Sequence, residues 1–170
     1  MRQGAMLSAK EIKRRLNDAS SGLAITPVIS AGQIDGAAVD LRLGPDLVVI
    51  RRETGVLAFD PSEIDGMAER VDDFQQYVRR PLGSAFNLHP GEFAIARSME
   101  YVTLPEGVAA QATGRSSWGR LGLVIATATL IQPEFAGTIT LELANLGSVP
   151  MVLYVGTRIA QLSFFDVTDS

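Results

Sequence analysis

This chain of 170 residues contains no cysteine. Disulfide staples, thiol nucleophiles and cysteine-ligated zinc are thereby excluded, and a reducing compartment fits. Histidine is nearly absent too, so a Ser-His-Asp triad or a multi-histidine metal site would rest wholly on His89. That residue lies in Leu88-His89-Pro90-Gly91-Glu92, which reads as a turn entering a strand. No excess of positive charge exists, since the net charge is −4. A general DNA, RNA or anionic-membrane binder would need a basic field. No apolar run reaches the roughly 20 residues of a membrane span, and the N-terminus lacks a basic-then-apolar signal pattern. Lysine is scarce, Lys10 and Lys13 standing alone among fifteen cations. The rest are arginines, whose planar fork suits focused bidentate contact with phosphate.

What is present is the balance of a globular domain, 46% hydrophobic and 20% charged. The expectation is a single cytoplasmic domain over 1–170, with residues 1–5 as a loose leader. Ser8 followed by Glu11 predicts a capping box, with Leu7 and Ile12 as its hydrophobic staple. Ile12 and Leu16 then share a buried face, leaving Lys10, Lys13, Arg14 and Arg15 in water. Beyond this helix, short alternating runs predict strands at 39–43, 47–50, 93–97, 101–104, 108–112, 138–143, 149–155 and 158–165. Gly and Pro clusters punctuate them, which predicts a mainly-β sandwich or barrel. Residues 51–82 interrupt the pattern as a polar insertion, with a short helix expected around Pro61 to Gln76. It is either a solvated surface excursion or a loop bordering a site.

Two features carry chemistry. Gly114-Arg115-Ser116-Ser117-Trp118-Gly119-Arg120 sets two arginines around two hydroxyls, with glycines that allow close backbone approach. Such donors suit a polyphosphate, although the same pattern serves as a surface turn. In Thr138-Ile139-Thr140-Leu141-Glu142-Leu143 the alternation puts Glu142 on the polar face. There it is either a solvated carboxylate or, if half-buried beside a cation, a proton-transfer group.

Four ordered segments together resemble one family. They are Ile34-Asp35-Gly36-Ala37-Ala38-Val39-Asp40-Leu41-Arg42-Leu43-Gly44, Leu88-His89-Pro90-Gly91-Glu92-Phe93, Gly114-Arg115-Ser116-Ser117 through Arg120-Leu121-Gly122-Leu123, and Gly156-Thr157-Arg158-Ile159-Ala160-Gln161-Leu162. With the leading helix, they resemble the dCTP deaminases of the dUTPase superfamily over roughly residues 6–166. The resemblance implies a distorted jelly-roll or β-clip fold in a homotrimer whose active sites are shared between subunits. It implies hydrolysis of dCTP to dUTP and ammonia, with Glu142 as general base and acid toward water attacking cytosine C4. Ser116 and Arg120 would arrange this cluster, and the Ala128 backbone would lie near the base and water. Arg115, Ser116, Ser117, Trp118, Gly119 and Arg120 would embrace the nucleotide. Thr140, Leu141 and Glu142 would face the base, with Gln161 near the substrate. Magnesium would ride on the triphosphate, with no ligands from protein side chains and no zinc; the zinc type of nucleobase deaminase needs cysteine ligands this chain lacks.

Two departures from the family pattern stand out. Gln132 occupies the place of an aspartate that in dUTPases organises the attacking water and in deaminases touches the sugar 3′-hydroxyl. Its presence disfavours dUTP hydrolysis. Family members also continue into a tail that folds over the triphosphate, whereas this sequence stops at Asp169-Ser170. The alternatives are therefore a trimeric nucleotide-binding protein without turnover, or less readily a pyrophosphatase or dUMP-forming enzyme.

Overall fold

The computed structural model describes residues 5–50, 75–126 and 130–167. Helix α1 spans Ala9–Leu16, and the Ser8 hydroxyl accepts the Glu11 amide at 3.3 Å. The reciprocal half of the box is absent, because the Glu11 carboxylate binds Arg14 and Arg15 instead. Leu7 and Ile12 are both buried, so the staple forms. Arg15, expected in water, is half-buried and forks onto Asp166 at 2.6 and 3.0 Å. Ala5, expected in the loose leader, accepts the Asp166 amide at 3.2 Å. The two ends of the described chain are thus tied together.

Twelve strands follow among the described residues. They are β1 (Ala24–Thr26), β2 (Ile34–Asp35), β3 (Ala38–Ile50), β4 (Gln75–Arg79), β5 (Ala85–Leu88), β6 (Phe93–Thr103) and β7 (Val108–Gly114), then β8 (Leu123–Ile125), β9 (Leu130–Ile131), β10 (Ala136–Asn145), β11 (Met151–Tyr154) and β12 (Arg158–Asp166). A single turn of helix, α2 (Ser116–Gly119), joins β7 to β8. The main sheet runs β8-β10-β6-β3-β12-β7-β9, with β1 on β6 and both β2 and β4 on β3; β11 and β5 form a separate pair. Every pairing is antiparallel, and the fold is the mainly-β, curled-sheet class expected.

Strand β3 joins the two halves of this sheet. Its first part pairs with β12 and its second with β4 and β6, and the register shifts between Leu43 and Leu47. Gly44 sits at that shift because a Cβ there would lie 2.5 Å from the Arg97 carbonyl oxygen. The run expected at 39–43 and its continuation at 47–50 both lie in this strand. Likewise 93–97 and 101–104 are one strand, β6, continuous through Ser98 and Glu100, which are buried polar residues. Residues 75–79 lie in the expected polar insertion, the first two of them in the expected helix, yet all are strand because they pair with Asp46–Ile50. Residues 51–74, which hold most of that insertion and helix, and Ala128 lie outside the described residues.

The core runs between the sheet halves. Leu41, Leu43, Leu141, Leu143, Ile159, Leu162 and Phe164 are all fully buried there. Each such side chain contributes about 1.5–3 kcal/mol relative to exposure. Alternation on β3, β10 and β12 leaves their opposite faces free for polar groups, and these build the site.

Candidate functional site

On β10 the apolar Ile139, Leu141 and Leu143 point inward, so Thr138, Thr140 and Glu142 fall on the other face. Glu142 is half-buried opposite Ile95 of β6, and its carbonyl accepts the Ala126 amide at 2.9 Å. A cleft of about 350 Å³ opens here, walled by Leu130, Phe135 and Thr138, with Gln132, Thr140 and Glu142 on it. Its floor is fixed from below, since the Ile139 amide donates to the Ser98 hydroxyl at 2.9 Å. Apolar walls beside one carboxylate and a few neutral polar groups suit a flat, partly polar ring. Leu141 is different: its side chain is fully buried in the core, so at most its main chain faces a ligand.

Arg115 and Gln161 meet in a second, more polar cleft of about 430 Å³, with Asp40, Arg158 and Ser163. Pairing explains the gathering. Gln161 lies opposite Asp40 on one side of β12 and opposite Thr113 on the other, and Arg115 follows β7 directly. The Arg115 amide is fixed to the Ile159 carbonyl at 3.1 Å. Ser116, Ser117, Gly119 and Arg120 follow on the exposed α2 turn. Trp118 is half-buried against the core, and its indole N–H donates to the Arg158 carbonyl at 3.0 Å. The ring thus pins α2 to β12 and sets where Arg115 and Arg120 leave the scaffold.

Of the sequence-predicted residues, Gln132, Thr140 and Glu142 share one cleft and Arg115 and Gln161 another, while Ser116, Ser117, Trp118, Gly119 and Arg120 line neither. Asp40 and Arg158 escaped notice as site residues. Both lie within the family-like segments, but Asp40 meets Arg115 and Arg158 only across 75 and 118 residues of chain. His89 is exposed in the turn after β5, as its sequence suggests. Among the described residues no group of three or more His, Asp and Glu side chains gathers as a metal cluster would. The oxygens of Asp40 accept from two guanidiniums and Gln161. No helix among the described residues is long and apolar enough to cross a membrane.

A family model described as dCTP deaminase-like matches residues 6–167. The "dCTP deaminase, dUMP-forming" of Methanobrevibacter smithii is 39% identical over 167 residues, which cover 96% of this chain and 81% of that protein. The dCTP deaminase of Halorubrum lacusprofundi is 40% identical over 164 residues, covering 95% and 77%. Among solved structures, 2′-deoxycytidine 5′-triphosphate deaminase from Agrobacterium tumefaciens matches with a TM-score of 0.72 at 27% identity. The match covers 97% of this chain and 47% of that one, so the chain spans about half that protein's length.

Proposed function

This chain belongs to the dCTP deaminase-like family, and from that premise we propose that it hydrolyses dCTP to dUTP and ammonia. The observation that carries the reading is the half-buried Glu142 carboxylate, set on the polar face of β10 in a cleft with Gln132 and Thr140. Cytosine lies against the apolar wall with C4 toward Glu142. The carboxylate takes a proton from water as the water oxygen bonds to C4, and passes it to N3. It then takes the second proton of that oxygen and delivers it to the exocyclic nitrogen. The C4–N bond breaks, and ammonia leaves with a uracil ring behind.

The triphosphate, with its magnesium, lies along Arg115 and the α2 turn, where Ser116, Ser117 and Arg120 add donors. In one subunit Arg115 lines a cleft separate from that of Glu142. A homotrimer in which neighbouring subunits each supply one part would complete the site. The work is that of a cytoplasmic enzyme of pyrimidine deoxynucleotide supply.

A second reading has a specific observation behind it. Several relatives near 39% identity are named dUMP-forming, which adds release of pyrophosphate to deamination. Gln132 weighs against that step, because a neutral amide activates water less well than a carboxylate. Chromatography of products from dCTP and magnesium separates the readings. A dUTP product supports the first, dUMP with pyrophosphate the second, and intact dCTP overturns both.

A further inference from the structure

Along β3, Val39, Leu41 and Leu43 fill the core, so Asp40 and Arg42 belong to the opposite face. Both are nonetheless buried, Asp40 to 8% residual exposure, and a buried charge needs a partner. Arg42 finds Glu100. Asp40 finds two cations: its Oδ2 accepts from Arg115 Nη1 at 2.8 Å and from Arg158 Nη1 at 3.3 Å. Its Oδ1 accepts from Gln161 Nε2 at 3.2 Å. Arg158 commits the rest of its fork to the loop ahead of β2, donating to the Gly32 carbonyl and the Ser30 hydroxyl at 3.0 Å each. Arg115 differs, since it meets Asp40 through Nη1 while its side chain stays 32% exposed on the cleft.

We propose that Asp40 is a positioning residue for nucleotide binding. Its buried carboxylate, shared by Arg115 and Arg158, aims the Arg115 guanidinium at the phosphates. The proposal rests on the reading of Arg115 as a phosphate contact. An arginine without an anchor samples many rotamers and must be ordered by the ligand, which weakens binding. Two guanidiniums facing one cleft also repel, and the shared carboxylate cancels one of those charges. Arg158 serves as the counterweight, tying Asp40 to the loop at 30–32 so that the carboxylate cannot follow Arg115 outward.

The test is a double-mutant cycle of Asp40→Asn and Arg115→Ala. Calorimetry reads the binding of dCTP and of deoxycytidine, and steady-state kinetics reads dCTP turnover. Asp40→Asn is expected to weaken dCTP about tenfold and deoxycytidine less than about twofold, with the kinetic loss in KM rather than kcat. In the Arg115→Ala background the same change should move dCTP binding by less than about twofold. Equal losses for the two ligands would overturn the proposal, as would a full additional loss in the double variant. Tighter dCTP binding by Asp40→Asn would also overturn it, because the carboxylate would then be only a competitor of the phosphates. If Asp40→Asn does not fold, Asp40→Glu keeps the charge and shifts it by one methylene. It carries the same expectation of selective dCTP loss. Wild-type protein that binds dCTP without converting it would defeat the deaminase reading alone and leave the cycle intact. Failure to bind dCTP would defeat both.

Discussion

Glu100 has no exposed surface, and it accepts from Arg42 Nε at 2.6 Å, the Arg42 amide at 2.9 Å and Gln33 Nε2 at 2.8 Å. Glu100→Ala removes all three hydrogen bonds at once. It strands a guanidinium that is itself only 6% exposed, so water cannot replace the lost partner. Breaking one side of a buried ion pair costs about 3–5 kcal/mol. The orphaned amides fall inside that figure, because they desolvate with the same cavity. For a chain of this size each kcal/mol lowers the midpoint by about 2–4 °C, so a fall of roughly 6–20 °C is expected. The assay is thermal and urea unfolding at one fixed subunit concentration, since assembly would otherwise shift the midpoint. The paired change Arg42→Met with Glu100→Leu removes both charges and should be more stable than Glu100→Ala alone. A loss below about 1 kcal/mol for Glu100→Ala, or a paired variant that is worse still, would refute the reasoning.

Two further outcomes test the scaffold. Gly44→Ala puts a Cβ 2.5 Å from the Arg97 carbonyl oxygen and 3.2 Å from that of Ser98, both backbone atoms. It should cost about 2–3 kcal/mol in urea unfolding, and a neutral result would mean that β3 and β6 separate easily there. Glu11 is held down to about 2 from 4.5, chiefly by its hydrogen bonds with Arg14 and then by those with Arg15. A carboxyl lowered in the folded state adds stability that is complete above pH 4.5 and fades as the pH falls toward 2. Glu11→Gln should therefore be less stable than the wild type at pH 7, with the gap closing in acid; a gap independent of pH would contradict the assignment.

The parts of the molecule that declare themselves in sequence are those set by near neighbours. The Ser8 cap of α1 is local, and the alternation that turns Glu142 away from the core spans six residues. Elements governed by distant partners were hidden. Strand β6 reads as two runs because Ser98 and Glu100 interrupt its apolar face, yet both stay buried by bonding to groups far along the chain. Gln75–Arg79 has no apolar alternation and is strand only because β3 offers it an edge. Arg15 belongs on the wet face of α1 by periodicity, and it is drawn inward by Asp166 near the other end of the chain. The carboxylate cleft was legible for the same reason that β10 was. The arginine cleft was legible at Arg115 and Gln161 but not at Asp40 and Arg158, since nothing in a strand's period announces which cations from other strands will meet a carboxylate on it.

The central claim is that Glu142 moves the protons of deamination. The most direct measurement is ammonia release from dCTP and magnesium by the wild type and by Glu142→Gln, with dCTP binding by both proteins measured in parallel. The account predicts steady release by the wild type and loss of at least about a hundredfold in the variant, with binding retained within a few-fold. Equal ammonia release by the two proteins would contradict it.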